Sequence, residues 1–424
     1  MSEVLKNWAG NYEYETNRLH FPENVRQVQE LVRSCNKLNV LGSRHSFNAI
    51  ADSGEDLISL ERLEEVLKLD REKNRVTVNG GFRYGQLCYY LEREGYALHN
   101  LASLPHISVV GACATGTHGS GVKNGNLATS VSALEIITGN GEVLKLSRDH
   151  QADDLHGAVV GLGALGVVTK ITLDIKPTFN MRQVVFEDLP LSCLADHFEE
   201  IMSSAYSVSL FTKWEAERFH QVWLKEQVSS EVSNEFRGPL FEATLSKRAH
   251  HPIANLSSEN CTKQLGVVGP WHTRLPHFCM EFTPSHGEEL QTEYFIPRDQ
   301  AFEALVAISQ LGEQLAPFLL VSEVRTIAAD NLWLSPCYHR ESVAIHFTWK
   351  QEWLEVRKLL PLIEDALLPF SARPHWGKLF TMSPMQVRAC YEKLSEFQQL
   401  AQNFDPEGKF RNAFLDTYIF VSRR

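Results

Sequence analysis

Two stretches rich in small and hydrogen-bond-donating residues stand out from the chain. Leu41-Gly42-Ser43-Arg44-His45-Ser46-Phe47 ends a predicted strand in a turn of small residues, and Ala102 to Gly121 reads ASLPHISVVGACATGTHGSG. Glycine, alanine and serine let a ligand approach the backbone, and successive N–H groups can form a concave nest for phosphate oxygens. One such stretch is as readily an ordinary loop. Two in one domain, each flanked by predicted strands, favour a large anionic cofactor. A second constellation is polar. By the period of two, Val321, Glu323, Arg325 and Ile327 share a face of the predicted strand Leu319 to Ile327, and Ala344, His346 and Thr348 share a face of Val343 to Trp349. Glu323 with Arg325 alone reads as an ion pair or a solvated face. Together with His346, Thr348 and the Lys378 of HWGKLF, they describe a polar pocket built on rigid strands.

Other motifs carry less. Gly161 to Gly166 spells GLGALG and satisfies GxGxxG, but a dinucleotide turn must open a helix, and the VVTKITLDI that follows alternates like a strand. A tight turn entering a strand is expected rather than an NAD site, although such a turn can still touch a different cofactor. The 17 histidines include no HxxxH or HExxH pair, and the adjacent His250 and His251 diverge on any regular element, so no metal is expected. No GxSxG elbow marks a hydrolase.

The elements that must hold these residues follow from periodicity. NVRQVQELVRSCNKLNV sets Val25, Val28, Leu31 and Val32 on one helical face ahead of a short strand. RVTVNGG alternates as a strand, YGQLCYYLEREG is a helix ending at Gly95, and SALEIITGNGEVLKLS is a hairpin turning at Asn140-Gly141. GVVTKITLDIKP closes this α+β unit as a strand stopped by Pro177. Beyond a boundary between Pro177 and Arg182, strands near Gln291 to Ile296, Leu319 to Ile327 and Val343 to Trp349 are interspersed with helices such as DQAFEALVAISQLGEQL and EWLEVRKLLPLIEDALL. That alternation suggests a sheet covered by helices on one side. Ser229 to Thr262 is polar and irregular, and no internal repeat is visible.

Composition bounds the partners. At about 150 residues per domain, 424 residues allow two or three domains. The net charge of −11, from 52 acidic and 41 basic side chains, argues against recruiting nucleic acid or an anionic membrane. The start has no cationic segment followed by an apolar stretch, and no long apolar run occurs, so neither export nor a membrane span is expected. The eight cysteines, Cys35, Cys88, Cys113, Cys193, Cys261, Cys279, Cys337 and Cys390, form no CxxC and sit mostly in apolar company. They read as reduced thiols of a cytoplasmic protein.

GSRHSF, ASLPHISVVGACATGTHGSG, GALGVVT, the Glu323-Val324-Arg325 strand and RPHWGK, in that order, resemble the flavin-dependent sugar-alcohol oxidases, the alditol or xylitol oxidases of the vanillyl-alcohol oxidase superfamily. The likeness runs from NWAGN near the start to DPEGKFRNAF near the end. It implies an α+β, two-domain flavoprotein. An FAD-binding domain over 1–178 has two small sheets, a cap domain over 179–370 has an antiparallel sheet covered by helices, and 371–424 completes the cap and returns to the FAD domain.

The same resemblance implies FAD attached covalently through His45, whose neutral imidazole can add to the flavin 8α-methyl carbon. Val40, Leu41, Gly42, Ser43, Arg44 and Ser46 on the first loop would contact this cofactor. So would Ser103, Ser108, Gly111, Ala112, Cys113, Ala114, Thr115, Gly116, His118 and Gly119 on the second, together with Val168 and His375. Ser103, Gln291, Glu323, Arg325, His346, Thr348 and Lys378 would line the substrate site, with Ser103, Glu323, Arg325 and Lys378 catalytic. The implied reaction moves the C1 hydride of a linear polyol, such as xylitol or sorbitol, to flavin N5 and yields an aldose. Arg325 and Lys378 would stabilise the developing alkoxide, Glu323 would orient hydroxyls, and the base is any of the nearby polar groups. Oxygen would reoxidise the flavin to give hydrogen peroxide, in a monomer with no nucleic-acid, membrane or metal partner. The nearest rival is an aldonolactone oxidase or dehydrogenase of the same superfamily, which shares the HWGK segment and the histidine. A flavoprotein that only binds carbohydrate or a protein partner is a further alternative, against which the intact set from Ser103 to Lys378 speaks.

Overall fold

The computed structural model describes residues 4–228, 240–280 and 288–420. Val28 and Val32 are buried, as the helical spacing requires, and the helix Val25–Ser34 leads into the strand Leu38–Leu41. The Asn24 side chain caps this helix by accepting from the Gln27 N–H at 3.0 Å. Leu38–Leu41 pairs in parallel with Asp56–Ser59, which also pairs with Leu19–His20. A second sheet is antiparallel throughout, in the order Leu67–Asp70, Arg75–Asn79, Val167–Asp174, Val131–Ile137, Val143–Ser147. These are the two small sheets expected of a cofactor domain, and the helix Tyr84–Arg93 stops before Gly95 as read.

GLGALG enters the strand Val167–Asp174 and not a helix. Gly166 has φ 133°, and a Cβ there would lie 2.2 Å from the Ile137 carbonyl oxygen. The turn therefore requires glycine for conformation and for close approach to the neighbouring strand.

The strand Asn180–Pro190 opens the cap. Among the described residues the cap sheet has nine strands, all pairing antiparallel. At its centre Ser207–Thr212, Leu319–Ile327, Ser342–Lys350 and Glu289–Pro297 lie side by side. Register places Phe211, Glu323, His346 and Glu293 in one row across these four strands, with Ser209, Arg325, Ala344 and Phe295 in the next row on the same face. Directly opposite residues on one face of a sheet have Cβ atoms about 5 Å apart, so each row acts as a unit. The helices Leu194–Met202, Ala301–Ser309 and Trp353–Leu367 pack in sequence on the other face, over Val324, Ile345 and Tyr294.

One helix differs from its reading. DQAFEALVAISQLGEQL divides into Ala301–Ser309 and Gly312–Leu315. The break lies where Gly312 passes so close to Trp214 that a Cβ would sit 2.0 Å from its carbonyl oxygen. Of the irregular stretch Ser229 to Thr262, 229–239 lies outside the described residues, and the rest wraps the edge of the cap. The final segment first adds Arg373–Pro374 to the cap sheet beside Glu289–Pro297. Its helix Leu394–Phe404 then packs on Ala152–Val159, and Ala413–Tyr418 packs on the turn Ala49–Ala51, both in the cofactor domain.

Candidate active site

A cavity of about 610 Å³ runs between the two small sheets and under the cap. That volume is of the size that cofactor and substrate sites occupy, about 300–1,000 Å³. Its deep walls are Val40 to Phe47, Gly80, Gly81, Ala102, Ser103, Ile107, Ser108, Gly111 to Thr115 and the turn Gly161 to Gly163. The two glycine-rich stretches thus meet on one cavity, and GLGALG, set aside as an NAD motif, joins them. Ser43 and Ser108 clasp the loops together, the Ser108 N–H donating to Ser43 Oγ at 3.0 Å. Gly116 and Gly119 do not line the cavity: Gly116 packs against Pro336, and Gly119 against Asn100 and the Leu101 carbonyl.

His45 lies in this wall, its ring stacked on Trp8 at 5.1 Å. Burial, reinforced by the positive charge of Lys378, lowers its pKa to about 3, so the imidazole is neutral near pH 7. Its Nδ1 is buried and finds no hydrogen-bond partner among the described residues. Arg44, at φ 59°, turns the chain so that its carbonyl accepts from the Trp8 N–H at 2.8 Å. A neutral imidazole with a free Nδ1 beside a glycine-lined trough, where a Cβ on Gly42 would sit 2.3 Å from Ser108 Oγ, suits a large anionic ring-bearing cofactor such as FAD.

The cap supplies the opposite wall. Gln291, Glu293, Glu323, Arg325, His346, Thr348, His375 and Lys378 all face the cavity, and Ser103 meets them from the cofactor side. Arg325 ties the two domains: its Nη2 donates to Glu293 Oε1 at 3.1 Å and its Nη1 to Ser103 Oγ at 3.4 Å. His118, on the second glycine-rich stretch, also reaches Glu293 Oε1, from Nε2 at 3.1 Å. Burial opposes ionisation of Glu293, but His118 and His346 outweigh it and hold its carboxyl well below the usual range. Glu323 is likewise pushed down despite burial, by Arg325 and by His277, whose Nε2 is 2.7 Å from Glu323 Oε1. Lys378 donates to Gln291 Oε1, and burial lowers its pKa to about 8. The loop carrying Lys378 is fastened to the first glycine-rich stretch, since the Asn48 side chain donates to the carbonyls of Trp376 and Lys378 at 2.9 and 2.7 Å.

The sequence motifs do not point to Glu293 or His277. Glu293 is two residues beyond Gln291 on one strand, so the period that singles out Glu323 and Arg325 also reaches it. His277 has no such signal. His251, Pro252, Ile253, Leu256, Ser257 and Asn260, from the irregular stretch, also border the cavity.

Among the described residues, one further group could hold a metal ion, His20, Cys35 and Asp56. It lies away from this cavity, and Arg18 Nε already stands 3.5 Å from Asp56 Oδ1. No helix of the described residues is long and apolar enough to cross a membrane.

Residues 17–147 match the family described as FAD binding domain, and 276–418 match D-arabinono-1,4-lactone oxidase. The chain is 45% identical over 419 residues to an alditol oxidase of Streptomyces sp., covering 98% of this chain and 99% of the relative. It is 28% identical to the L-gulonolactone oxidase of Mus musculus, covering 98% of each. A cholesterol oxidase from B. sterolicum has the same fold, with TM-score 0.77 at 14% identity over 98% of this chain and 96% of that one. With nearly half of its residues identical from end to end, the chain belongs to the alditol oxidase family of FAD-binding oxidoreductases.

Proposed function

We propose that the protein oxidises the terminal C1 alcohol of linear polyols such as xylitol and sorbitol to the aldose, with FAD held through His45 and oxygen as the final acceptor. The observation that carries this reading is the cap wall. Glu323, Arg325, His346, Thr348 and Gln291 share one buried sheet face above the cofactor trough, and the half-buried Lys378 joins them on the cavity from the following loop. A chain of hydroxyls can be met there by alternating donors and acceptors, where a sterol or other apolar substrate would strand them. The name of the Streptomyces relative points the same way.

FAD held in this trough would supply the two-electron acceptor for the C1 hydride, with oxygen the final acceptor and hydrogen peroxide the product. The side chains do the rest. Arg325 and Lys378 hold positive charge where the C1 oxygen becomes an alkoxide, in a wall from which bulk water is largely excluded. Glu323 orients neighbouring hydroxyls, and Glu293 fixes Arg325 from behind. Ser103 reaches the reacting end from the cofactor side. The neutral His45, with its Nδ1 free of a hydrogen-bond partner among the described residues, is the nucleophile for covalent attachment. The eight free thiols suit a reducing, cytoplasmic setting, and we take the enzyme to act as a monomer.

The match of 276–418 to a lactone oxidase family favours a second reading, oxidation of an aldonolactone. Stopped-flow bleaching of the yellow enzyme by xylitol, sorbitol and a gulonolactone separates the two. We expect bleaching by the polyols and rapid reoxidation by air; bleaching by the lactone alone would overturn the substrate, and slow reoxidation would make it a dehydrogenase. For the linkage, acid precipitation should leave the yellow colour in the wild-type pellet and not in His45→Ala. A yellow supernatant from the wild type overturns it.

A further inference from the structure

Resting on the polyol reading and extending it, we propose that Lys225 and His277, with Glu323, form the route by which the substrate hydroxyl proton leaves the cavity, and that the proton ends on the Lys225 amine. The three groups are in line. His277 Nε2 lies 2.7 Å from Glu323 Oε1, and His277 Nδ1 lies 3.1 Å from Lys225 Nζ. All are buried, with exposures of 5% for Glu323, 6% for His277 and 1% for Lys225. The imidazole stands edge-on to Phe211 and Trp223 at 5.6 and 5.1 Å, which keeps each ring nitrogen facing its own partner. Glu323 and His277 border the cavity, while Lys225 lies behind them.

The hydrogen-bond inventory fits two proton states. Lys225 Nζ also donates to the carbonyls of Leu275 and Pro276 at 2.6 and 2.9 Å. A charged ammonium uses its third N–H on His277 Nδ1, leaving the Nε2–H to donate to the Glu323 carboxylate. A neutral amine keeps the two carbonyls and accepts from His277 Nδ1–H; Nε2 is then an acceptor, and the Glu323 carboxyl 2.7 Å away donates to it once it has taken the substrate proton. An imidazole passes a proton by receiving on one nitrogen and releasing from the other.

From the neutral-amine state the balance closes. The C1 O–H bond breaks as the C1 hydride leaves with its electron pair to the FAD. Glu323 takes the proton and gives it to His277 Nε2, and His277 Nδ1–H passes to Lys225 Nζ. One O–H is lost and one N–H is gained.

The charges around the array suit this. Burial lowers Lys225 to about 7; Glu323 and Cys261 favour its charge, and Arg325 and Arg274 oppose it. Burial lowers His277 to about 4, with Lys225 and Arg325 lowering it further and Glu323 opposing, so the imidazole transmits a proton and does not keep it. Glu323 itself faces Arg325, His277 and His346. Lys225 acts through the other two and is a positioning residue: it sets where the proton ends.

The test uses the holoenzyme, bleached by xylitol on both sides of pH 7. The wild-type rate should rise with pH through about 7. His277→Gln can still donate to Glu323 and accept from Lys225 but cannot transmit, so it should lose the rise and fall about 10²-fold. Lys225→Arg stays charged throughout and should remain at the low-pH rate. A readout independent of turnover is the melting temperature. Between about 7 and the ordinary lysine value of 10.5 the unfolded chain holds a proton that the folded one lacks, so wild-type stability should climb with pH relative to Lys225→Arg. If Lys225→Arg does not fold, His277→Gln decides. Equal thermal slopes overturn the relay, and so does a wild type bleached by xylitol whose pH rise survives in the variants. A wild type that no polyol bleaches overturns the proposed function instead.

Discussion

His118 and Glu293 meet across the two domains, Nε2 to Oε1 at 3.1 Å, with both side chains buried. The same oxygen accepts from Arg325, so one carboxylate aligns the second glycine-rich stretch with the substrate wall. Removing one partner of a buried ion pair costs about 3–5 kcal/mol. Glu293→Ala should lose stability of that order in denaturant unfolding. Because the carboxyl is held well below its ordinary 4.5, its contribution is complete above that value and fades as pH falls below it. Glu293→Gln should therefore flatten the acid side of a melting-temperature profile, and an unchanged acid side would contradict the assignment.

Lys378 gives a second pH dependence of opposite sign. The charged ammonium is the form that stabilises an alkoxide, and it is lost as pH rises through about 8. We expect kcat/KM for xylitol to fall above that pH, and Lys378→Arg to abolish the fall. Lys378→Met should lower kcat by about 10²–10³, the range for loss of one oxyanion donor. Persistence of the alkaline limb in Lys378→Arg would assign it elsewhere.

The polar wall was legible wherever a strand's period of two acts on charged residues among apolar ones. Glu323 with Arg325, and His346 with Thr348, fall on one face by that rule and do so in the structure. Lys225 and His277 were not legible. Lys225 reaches partners 50 to 52 residues away on an irregular segment, where no periodicity constrains the side chains. The strand after GLGALG was readable from β-branched alternation, but the place of that turn on the cavity depends on long-range packing. The broken helix at Gly312 has the same origin, a close contact with Trp214 that local sequence does not encode.

Gly166→Ala tests the turn. Strain at such a φ contributes about 1–3 kcal/mol, and the Ile137 carbonyl leaves no room for a methyl group. We expect a lower melting temperature and weaker retention of yellow colour through gel filtration. A variant matching the wild type in both would show that the turn can relax.

Arg325→Lys separates charge from geometry. The guanidinium meets Glu293 and Ser103 with different nitrogens, while its Nε stands 3.5 Å from Glu323. An ammonium keeps the charge but presents a single point, so it cannot hold both carboxylates and the serine in place. If the fork aligns the C1 oxygen, the rate of flavin bleaching at saturating polyol should fall about 10²-fold, because a small misplacement of reacting groups costs that much. If Arg325 acts through charge alone, that rate should stay near wild type while the polyol concentration for half-saturation rises. Stopped-flow traces over a range of xylitol concentrations distinguish these outcomes, and we expect the first.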